Sequence, residues 1–343
     1  MTDKQWDILV NTIGGKLFDP MPVGFIIDSP WIPGWFGIST VDYYSNDNLW
    51  LQANLKAIET FPDILFLPGF WSEFGMCTEP SAFGAKQIWS ENSLPHADKV
   101  LLNPEDIDKL AKPNVKTDGL LPFMIKRLIH NEKFIIQAGH SIKFAVSRGP
   151  LNIASFLMGT TEFLLLTQMD PDRAHILLRI ITDFTKDWID HQLNSFDSID
   201  GLLLLDDITG FIGDEDFKNF ALPYLKEIYQ CNNLKVNFFH NDAEGLISAR
   251  YLNKIGVNLF NFSYKHSVTE IKELTDGKIT LLGNIPPRDV MAQGSVKEVR
   301  MSVIDNLLSI NDKIRLIASC GGGMPQDVST ANIQAFIKAV NKV

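Results

Sequence analysis

Residues 235–263 read KVNFFHNDAEGLISARYLNKIGVNLFNFS, and this stretch contains the repeating unit that determines the fold. The apolar run at 235–239 predicts a β-strand, residues 243–254 predict an amphipathic helix, and the apolar run at 257–262 predicts a second strand. This order is typical of two parallel strands joined by a crossover helix.

The same alternation recurs along most of the chain. Further helices are predicted at 216–230, 267–275, 296–309 and 329–342. The eight predicted strands lie at 22–27, 63–67, 142–147, 200–205, 235–239, 257–262, 279–283 and 315–319. Eight such units predict an α/β protein with a closed (β/α)8 TIM barrel, and an open doubly wound sheet is the alternative.

Two early stretches interrupt the pattern. Residues 28–50 and 68–103 are rich in Pro, Gly and aromatic side chains and are long for barrel loops. We expect them to be N-terminal insertions that fold over the barrel mouth as a lid or form a hairpin. Because no linker or repeat is present, we expect one domain over residues 1–343.

Composition narrows the class of protein. The 343 residues are 45% hydrophobic and 21% charged, which is ordinary for a globular enzyme, and no apolar run is long enough to span a membrane. The N-terminus has no basic or apolar region typical of a signal peptide. Three cysteines cannot all pair, as is common for reduced thiols. We therefore expect a cytoplasmic protein.

The charge and its distribution limit the partners. A net charge of −10 argues against binding to nucleic acid, which depends on lysine and arginine contacts to phosphates. The first arginine of the chain is Arg127, and Lys56 is the only basic residue between positions 21 and 85. A pocket formed by the N-terminal third is therefore expected to offer almost no cation to a polyanionic substrate.

Polar residues follow five successive predicted strands. Because the C-terminal ends of barrel strands meet at one mouth, these residues are expected to form a ring there. Each has a structural alternative, since a strand-end carboxylate often caps the next turn and a lone cysteine is usually a small buried hydrophobe. The ring comprises Asp206, Asp207, His240, Asn241, Asp242, Asn261, Ser263, Gly283, Asn284 and Cys320, the last followed by Gly321 to Gly323.

A metal is one possible use of this ring. His240, Asp242 and Cys320 supply three zinc-ligand types and leave a fourth position open, as in catalytic zinc sites. Residues 240 and 242 project to the same side of a strand end. A carboxylate is less specific for zinc than a second thiolate. In the loop at residues 75–79, Glu79 is expected to be solvated, and a position facing the mouth is the alternative.

Several motifs resemble the uroporphyrinogen decarboxylase superfamily. The resemblance covers residues 140–343 well and the N-terminal third loosely, and it implies a (β/α)8 barrel with one active site. The matching residues are Ser147-Arg148-Gly149-Pro150, Leu204-Leu205-Asp206-Asp207, Phe217 to Tyr224, Phe239-His240, Gly283-Asn284-Ile285-Pro286-Pro287, and Cys320 to Pro325 with Asn332.

The resemblance implies one of two chemistries. The decarboxylases act on a tetrapyrrole with eight carboxylates and carry an arginine-rich segment after the first strand. Here residues 28–37 read DSPWIPGWFG, with one carboxylate and no arginine. A buried polyanion facing Asp28 and aromatic rings would be left unpaired at a cost of several kcal/mol. We therefore argue against uroporphyrinogen decarboxylase activity.

The other branch consists of corrinoid-dependent methyltransferases, which take a methyl group from methylcobalamin on a corrinoid protein. Similar enzymes that methylate tetrahydrofolate need no thiolate, and the pterin ring requires carboxylate and amide partners. The resemblance thus implies transfer to tetrahydrofolate, with the aromatic lid (Trp31, Trp35, Phe36, Phe70, Trp71) covering the corrin or the partner protein. The catalytic residues would be Asp242, Asp207 and His240, and the substrate-binding residues would be Asp206, Asn241, Asn261, Ser263, Asn284 and Gly322.

Two alternatives remain open. Thiol-directed members of the branch hold zinc with a His-x-Cys pair and a later Cys. This chain keeps equivalents in His240 and Cys320 but has Asp242 where the first Cys would be, which gives a zinc-dependent thiol methyltransferase as the second hypothesis. The third is a non-catalytic corrinoid or porphyrin carrier, and the lack of an arginine cluster counts against a porphyrin.

Overall fold

The predicted strands form the inner wall of a barrel. A computed structural model describes all residues from Met1 to Val343. The strands, in chain order, are β1 (Gly24–Ile26), β2 (Leu65–Leu67), β3 (Gln87–Ser90), β4 (Ser93–Ala97), β5 (Phe144–Arg148), β6 (Gly201–Leu205), β7 (Val236–Asn241), β8 (Leu259–Phe262), β9 (Thr280–Ile285) and β10 (Leu316–Cys320). All except β3 and β4 match a predicted strand to within two residues at each end.

The order of the strands is that of a barrel and not of an open doubly wound sheet. Strands β5 to β10 pair in parallel in sequence order, and β1 pairs in parallel with β2. The chain closes where β10 meets β1, because the Ala318 N–H donates to the Pro22 carbonyl and Val23 bridges Ala318. The two remaining ends, β2 and β5, are not joined by a hydrogen-bonded ladder. The predicted (β/α)8 barrel is confirmed.

Helices cover the outside of the ring and also build its insertions. They are α1 (Asp3–Ile13), α2 (Ile32–Phe36), α3 (Thr40–Ser45), α4 (Asp47–Thr60), α5 (Thr78–Ala82), α6 (Leu121–Gln137), α7 (Pro150–Met158), α8 (Thr160–Met169), α9 (Pro171–Ser195), α10 (Asp214–Asp216), α11 (Leu222–Gln230), α12 (Leu252–Ile255), α13 (Val268–Leu274), α14 (Val296–Leu308) and α15 (Thr330–Val340). Strands such as β6 are buried along their whole length, as expected when both sheet faces are covered.

Two predicted helices are shorter than expected. The helix at 216–230 is interrupted by a π-turn over Phe217–Ala221, because Pro223 has no N–H to continue the regular ladder. The helix at 243–254 begins only at Ile247, as a 3-10 turn. Its first residues form a loop instead, in which Gly245 lies so close to the Gly210 carbonyl that a Cβ atom would be 1.9 Å from that oxygen.

The early insertions contain more regular structure than the sequence indicated. Strands β3 and β4 form the expected antiparallel hairpin. The aromatic lid, however, is not an open surface: Trp31, Phe70 and Trp71 are buried in the main core, and only Trp35 and Phe36 keep partial exposure. Trp31 stacks on Trp35 and donates its indole N–H to the Val328 carbonyl. The expectation that these rings cover a corrin or a partner is therefore wrong for the three buried ones.

None of the helices has the length and apolar composition needed to cross a lipid bilayer. The three cysteines are unpaired, and Cys77 and Cys320 are buried.

Candidate active site

Three side chains converge at the C-terminal ends of β6 and β7. Asp207 begins the 3-10 turn after β6, His240 lies within β7, and Asp242 follows that strand directly. The Nε2 atom of His240 is 3.7 Å from the Asp207 Oδ1 and 4.0 Å from the Asp242 Oδ2. The three ligand atoms all lie within 4.8 Å of one another. The structure thus brings together the three residues that the sequence predicted to be catalytic.

Asn261 on β8 fixes the orientation of the imidazole. Its amide nitrogen donates to the carbonyls of Leu282 and Cys320, so its oxygen must face His240 as an acceptor. The Nδ1–H of His240 donates to that oxygen at 2.8 Å. In the neutral ring, Nε2 therefore carries the lone pair that faces the two carboxylates.

Three acceptors that face one point repel each other unless a cation is present. Either a proton on Nε2 or a metal ion bound by Asp207, His240 and Asp242 satisfies this arrangement. The Asp242 side chain is 42% exposed, yet burial within the mouth raises the pKa of its carboxyl group. The Asp207 carboxylate raises this pKa further, while His240 lowers it.

Cys320 is not part of this cluster. It is 1% exposed at the end of β10, and burial raises the pKa of its thiol well above the ordinary range. The cluster of His240 and Asp242 takes Asp207 as its third member in place of the expected thiol. The cause is the strand order, because β6 is hydrogen-bonded to β7 whereas β8 and β9 separate β10 from it.

Most of the predicted substrate-binding amides and acids are used inside the protein. Asp206 is fully buried and accepts hydrogen bonds from the backbone N–H groups of Leu151 and Asn152 at the start of α7. The Asn241 amide donates to Thr209 and Ser248. These contacts are structural. They agree with the alternative that a polar residue at a strand end caps or supports the next turn.

Asn284, Ser263 and Gly322 have different surroundings. The Asn284 amide donates to the His266 carbonyl and its oxygen accepts from Asn306. Ser263 is buried, 3% exposed, and accepts a long hydrogen bond of 3.5 Å from the Lys265 N–H. Gly322 does border the cluster, since a Cβ atom there would lie 2.7 Å from the Asp242 Oδ2. Of the six predicted substrate-binding residues, Asn261 and Gly322 contact the convergent cluster.

A second group of ionisable residues contains a pairing that the sequence did not predict, that of Arg148 with Glu73 and Glu79. Arg148 ends β5 and pairs with Glu73, while Asp28 follows β1 and Glu79 lies in α5. Glu79 is 3% exposed, so the expectation that it is solvated is wrong. The sequence did offer one indication, because two acids, Glu73 and Glu79, lie in the apolar stretch 70–80. Buried carboxylates need partners, and here a distant strand supplies them.

A cavity opens directly beside Asp242. Its volume is about 600 Å³, within the range of small-molecule sites. Arg288 also lines it and forms no ion pair with any residue. The other lining residues are Pro30, Ser93, Leu94, Pro287, Ala292, Gln293, Gly323, Met324, Pro325, Gln326 and Asp327.

The comparisons with known proteins agree with the resemblance read from the motifs. The family model described as uroporphyrinogen decarboxylase matches residues 11–343. A uroporphyrinogen decarboxylase of Methylobacillus flagellatus is 21% identical over 89% of this chain and 86% of its own length. One from Christiangramia forsetii is 25% identical, and there the chain spans only about half the length of the relative, 50%.

A solved structure described as a methyltransferase from Methanosarcina mazei shares the fold. It superposes with a TM-score of 0.81 over 98% of both chains, at 17% sequence identity. The match of the family model over nearly the whole length, together with this shared barrel, shows that the chain belongs to the uroporphyrinogen decarboxylase family.

Proposed function

We propose that this protein is a corrinoid-dependent methyltransferase that transfers a methyl group from methylcobalamin on a corrinoid protein to tetrahydrofolate. The observation that carries the proposal is the cluster of Asp207, His240 and Asp242, of which Asp242 lines a cavity together with the unpaired Arg288. Acidic and basic groups on one cavity complement a pterin that carries a guanidine-like edge and a carboxylate-bearing tail.

The acceptor would lie in the cavity with its ring against Asp207 and Asp242. A carboxylate accepts two hydrogen bonds from a guanidine-like edge, and Arg288 is free to pair with the carboxylates of the tail. The transfer would be an in-line displacement: the acceptor nitrogen forms the new bond to carbon and its proton passes to the solvent, while the carbon–cobalt bond breaks with both electrons left on cob(I)alamin. The protein therefore contributes mainly by positioning the two reactants.

Decarboxylation of a polycarboxylated tetrapyrrole is less compatible with this mouth. The segment after β1 forms α2 with its stacked tryptophans and supplies no cation. Arg148, on the floor of the mouth, is already paired with Glu73 at 2.8 Å. For a substrate with many carboxylates, the cavity offers a single unpaired arginine, Arg288.

The second candidate is metal-assisted methyl transfer to a thiol. It is favoured by the same cluster, since Asp207, His240 and Asp242 offer one nitrogen and two carboxylate ligands with further positions open, a set that suits zinc or another divalent ion. A bound metal ion of this kind would lower the pKa of an acceptor thiol. The Asn261 oxygen, which accepts from Nδ1, would hold His240 as a ligand through Nε2.

The double variant Asp207→Ala/Asp242→Ala tests the shared role of the cluster. Methyl transfer is expected to be abolished while the circular dichroism spectrum and the melting temperature stay near those of the wild type, because both carboxylates are partly exposed. The matched control is Asp289→Ala/Asp305→Ala, which removes two exposed carboxylates that form no ion pair. Retained transfer in the first variant would refute the assignment.

Metal analysis separates the two acceptors. The thiol candidate predicts about one divalent ion per chain, lost in the Asp207/Asp242 double variant, and a loss of transfer after chelation. The tetrahydrofolate candidate predicts transfer that survives chelation. Full activity with tetrahydrofolate after removal of all metal would exclude a metal-dependent step.

A further inference from the structure

A second cavity lies between the helices α4 and α6, apart from the barrel mouth. Its volume is about 470 Å³, within the range of small-molecule sites. No residue lines both this cavity and the one beside Asp242. We call it the α4–α6 cavity, and the residues that matter for its chemistry are Asp47, Phe74, Phe123, Lys126, Arg127 and His130.

Arg127 is buried beside this cavity with one nitrogen unsatisfied. Its side chain is 4% exposed. The Nε atom donates to the Asp47 Oδ1 at 2.9 Å, and Nη2 donates to the Tyr44 carbonyl. The remaining nitrogen, Nη1, is buried and has no hydrogen-bond partner. Because a buried donor without an acceptor is unfavourable, a ligand that brings an acceptor to Nη1 gains a charge-assisted hydrogen bond.

The α4–α6 cavity carries more cationic than anionic side chains. Lys126 and Arg127 line it against a single carboxylate, that of Asp47, and His130 adds an imidazole. The contact of Arg127 with Asp47 is the one ion pair among these residues, so Lys126 and His130 have no carboxylate partner. In a protein with a net charge of −10, this local excess of positive charge favours an anionic ligand.

Aromatic rings form the apolar part of the cavity. The Phe74 and Tyr44 rings lie 5.7 Å apart, and the Arg127 guanidinium is 4.8 Å from the centre of the Phe74 ring. Trp89 on β3 packs edge-on against both rings, at 5.7 and 6.4 Å, and so braces this wall. The Phe123 side chain, by contrast, is 63% exposed. An inorganic anion would leave the Phe123 ring in water, whereas a ligand with its own ring would cover it.

We propose that the α4–α6 cavity binds a small aromatic anion. Its carboxylate or phosphate group accepts hydrogen bonds from the Arg127 Nη1 and from Lys126, and its ring packs against Phe74 and Phe123. The site is separate from the methyl-transfer site and does not rest on the proposed function.

Four probe ligands test the required chemistry. Benzoate has both features, benzamide lacks only the charge, and acetate lacks only the ring. Saturation-transfer NMR titrations of the wild-type protein are expected to give a Kd for benzoate about tenfold lower than for benzamide or acetate. Phenyl phosphate, compared with benzoate, shows which anionic group the site prefers. Benzamide binding as tightly as benzoate would refute the proposal.

Variants of α6 test the location. Lys126→Ala and Phe123→Ala change exposed side chains, so both proteins should fold, and each is expected to raise the Kd of benzoate by about two- to fivefold. The matched controls are Lys133→Ala and Phe134→Ala, exposed residues of the same helix that do not line the cavity. Arg127→Met is expected to raise the Kd by about tenfold or more. Thermal unfolding shows whether that variant is folded.

Arg288→Gln excludes binding at the barrel mouth, because Arg288 lines only the cavity beside Asp242. We expect this variant to bind benzoate as the wild type does. Loss of binding in Arg288→Gln, with wild-type binding in Lys126→Ala and Phe123→Ala, would place the anion at the mouth and refute the proposal. None of these measurements requires turnover, so the result is independent of whether the protein transfers methyl groups.

Discussion

At the scale of single residues, Asn261 determines how His240 can act. It links the imidazole to two backbone carbonyls of neighbouring strands. Asn261→Ala is expected to lower the free energy of unfolding by about 1–3 kcal/mol, because one donor and two carbonyls lose partners. Transfer should also decrease, because the Nδ1–H tautomer is no longer fixed.

Asn253→Ala is the control, since the Asn253 amide also donates to a buried carbonyl but lies away from the mouth. It should change stability without changing activity per folded molecule. Chemical denaturation and the NMR signals of the His240 ring measure the two effects. An Asn261→Ala protein with an unchanged His240 tautomer would contradict this role.

Gly322 offers a second test at this scale. Its φ of +139° and the closeness of Asp242 leave no room for a side chain. Gly322→Ala should displace the Asp242 carboxylate, and a misplacement on the order of 1 Å can cost about 10²-fold in rate. Gly213→Ala is the control, because no atom lies within 4 Å of a Cβ there and Gly213 does not line the cavity. Equal activity of the two variants would count against Asp242 as a catalytic group.

At the scale of elements, two adjacent aspartates after β6 have different roles. Asp206 caps the start of α7, where Gly149 leaves space for its carboxylate. Asp206→Ala is expected to cost about 0.5–2 kcal/mol of stability, as for other helix caps. Asp207→Ala should reduce transfer and leave stability near that of the wild type. Thermal unfolding and initial rates distinguish them, and the reverse assignment would contradict this account of the mouth.

The positions of the barrel strands could be predicted from the sequence for a physical reason. Parallel barrel strands are continuous apolar runs, so their positions follow from local composition, and the polar residues at the ends of β6 and β7 do meet. Which strand-end residues face the cavity depends on contacts between distant segments. Cys320 and Asn284 therefore could not be separated from Asp207 and His240 by spacing alone.

The pairing of Arg148 with Glu73 and Glu79 illustrates the same limit. Glu73 and Glu79 lie in an insertion without strong periodicity, and their partner Arg148 is 75 and 69 positions away in the chain. Nothing local to either segment indicates that pairing. The burial of Trp31 could not be predicted for a similar reason, because its indole N–H donates to Val328, in the segment that follows β10.

For the whole molecule, the distribution of charge predicts which acceptors bind. A protein with a net charge of −10 places one free arginine, Arg288, in the cavity beside its acidic cluster. Arg288→Gln is expected to raise KM for tetrahydrofolate by about tenfold and to change KM little for an acceptor without carboxylates. Arg300→Gln, an exposed arginine on α14 without an ion pair, is the control. Initial rates with both acceptors measure the effect, and equal KM changes in the two variants would contradict it.

Methyl transfer to a pterin can be followed through the absorption of the cobalamin itself. Purified protein is mixed anaerobically with methylcobalamin, and the absorption spectrum is followed over time with tetrahydrofolate in one cuvette and a small thiol in another. We predict conversion to cob(I)alamin with tetrahydrofolate and none with the thiol. Conversion with the thiol alone, or no conversion with either acceptor, would contradict the account.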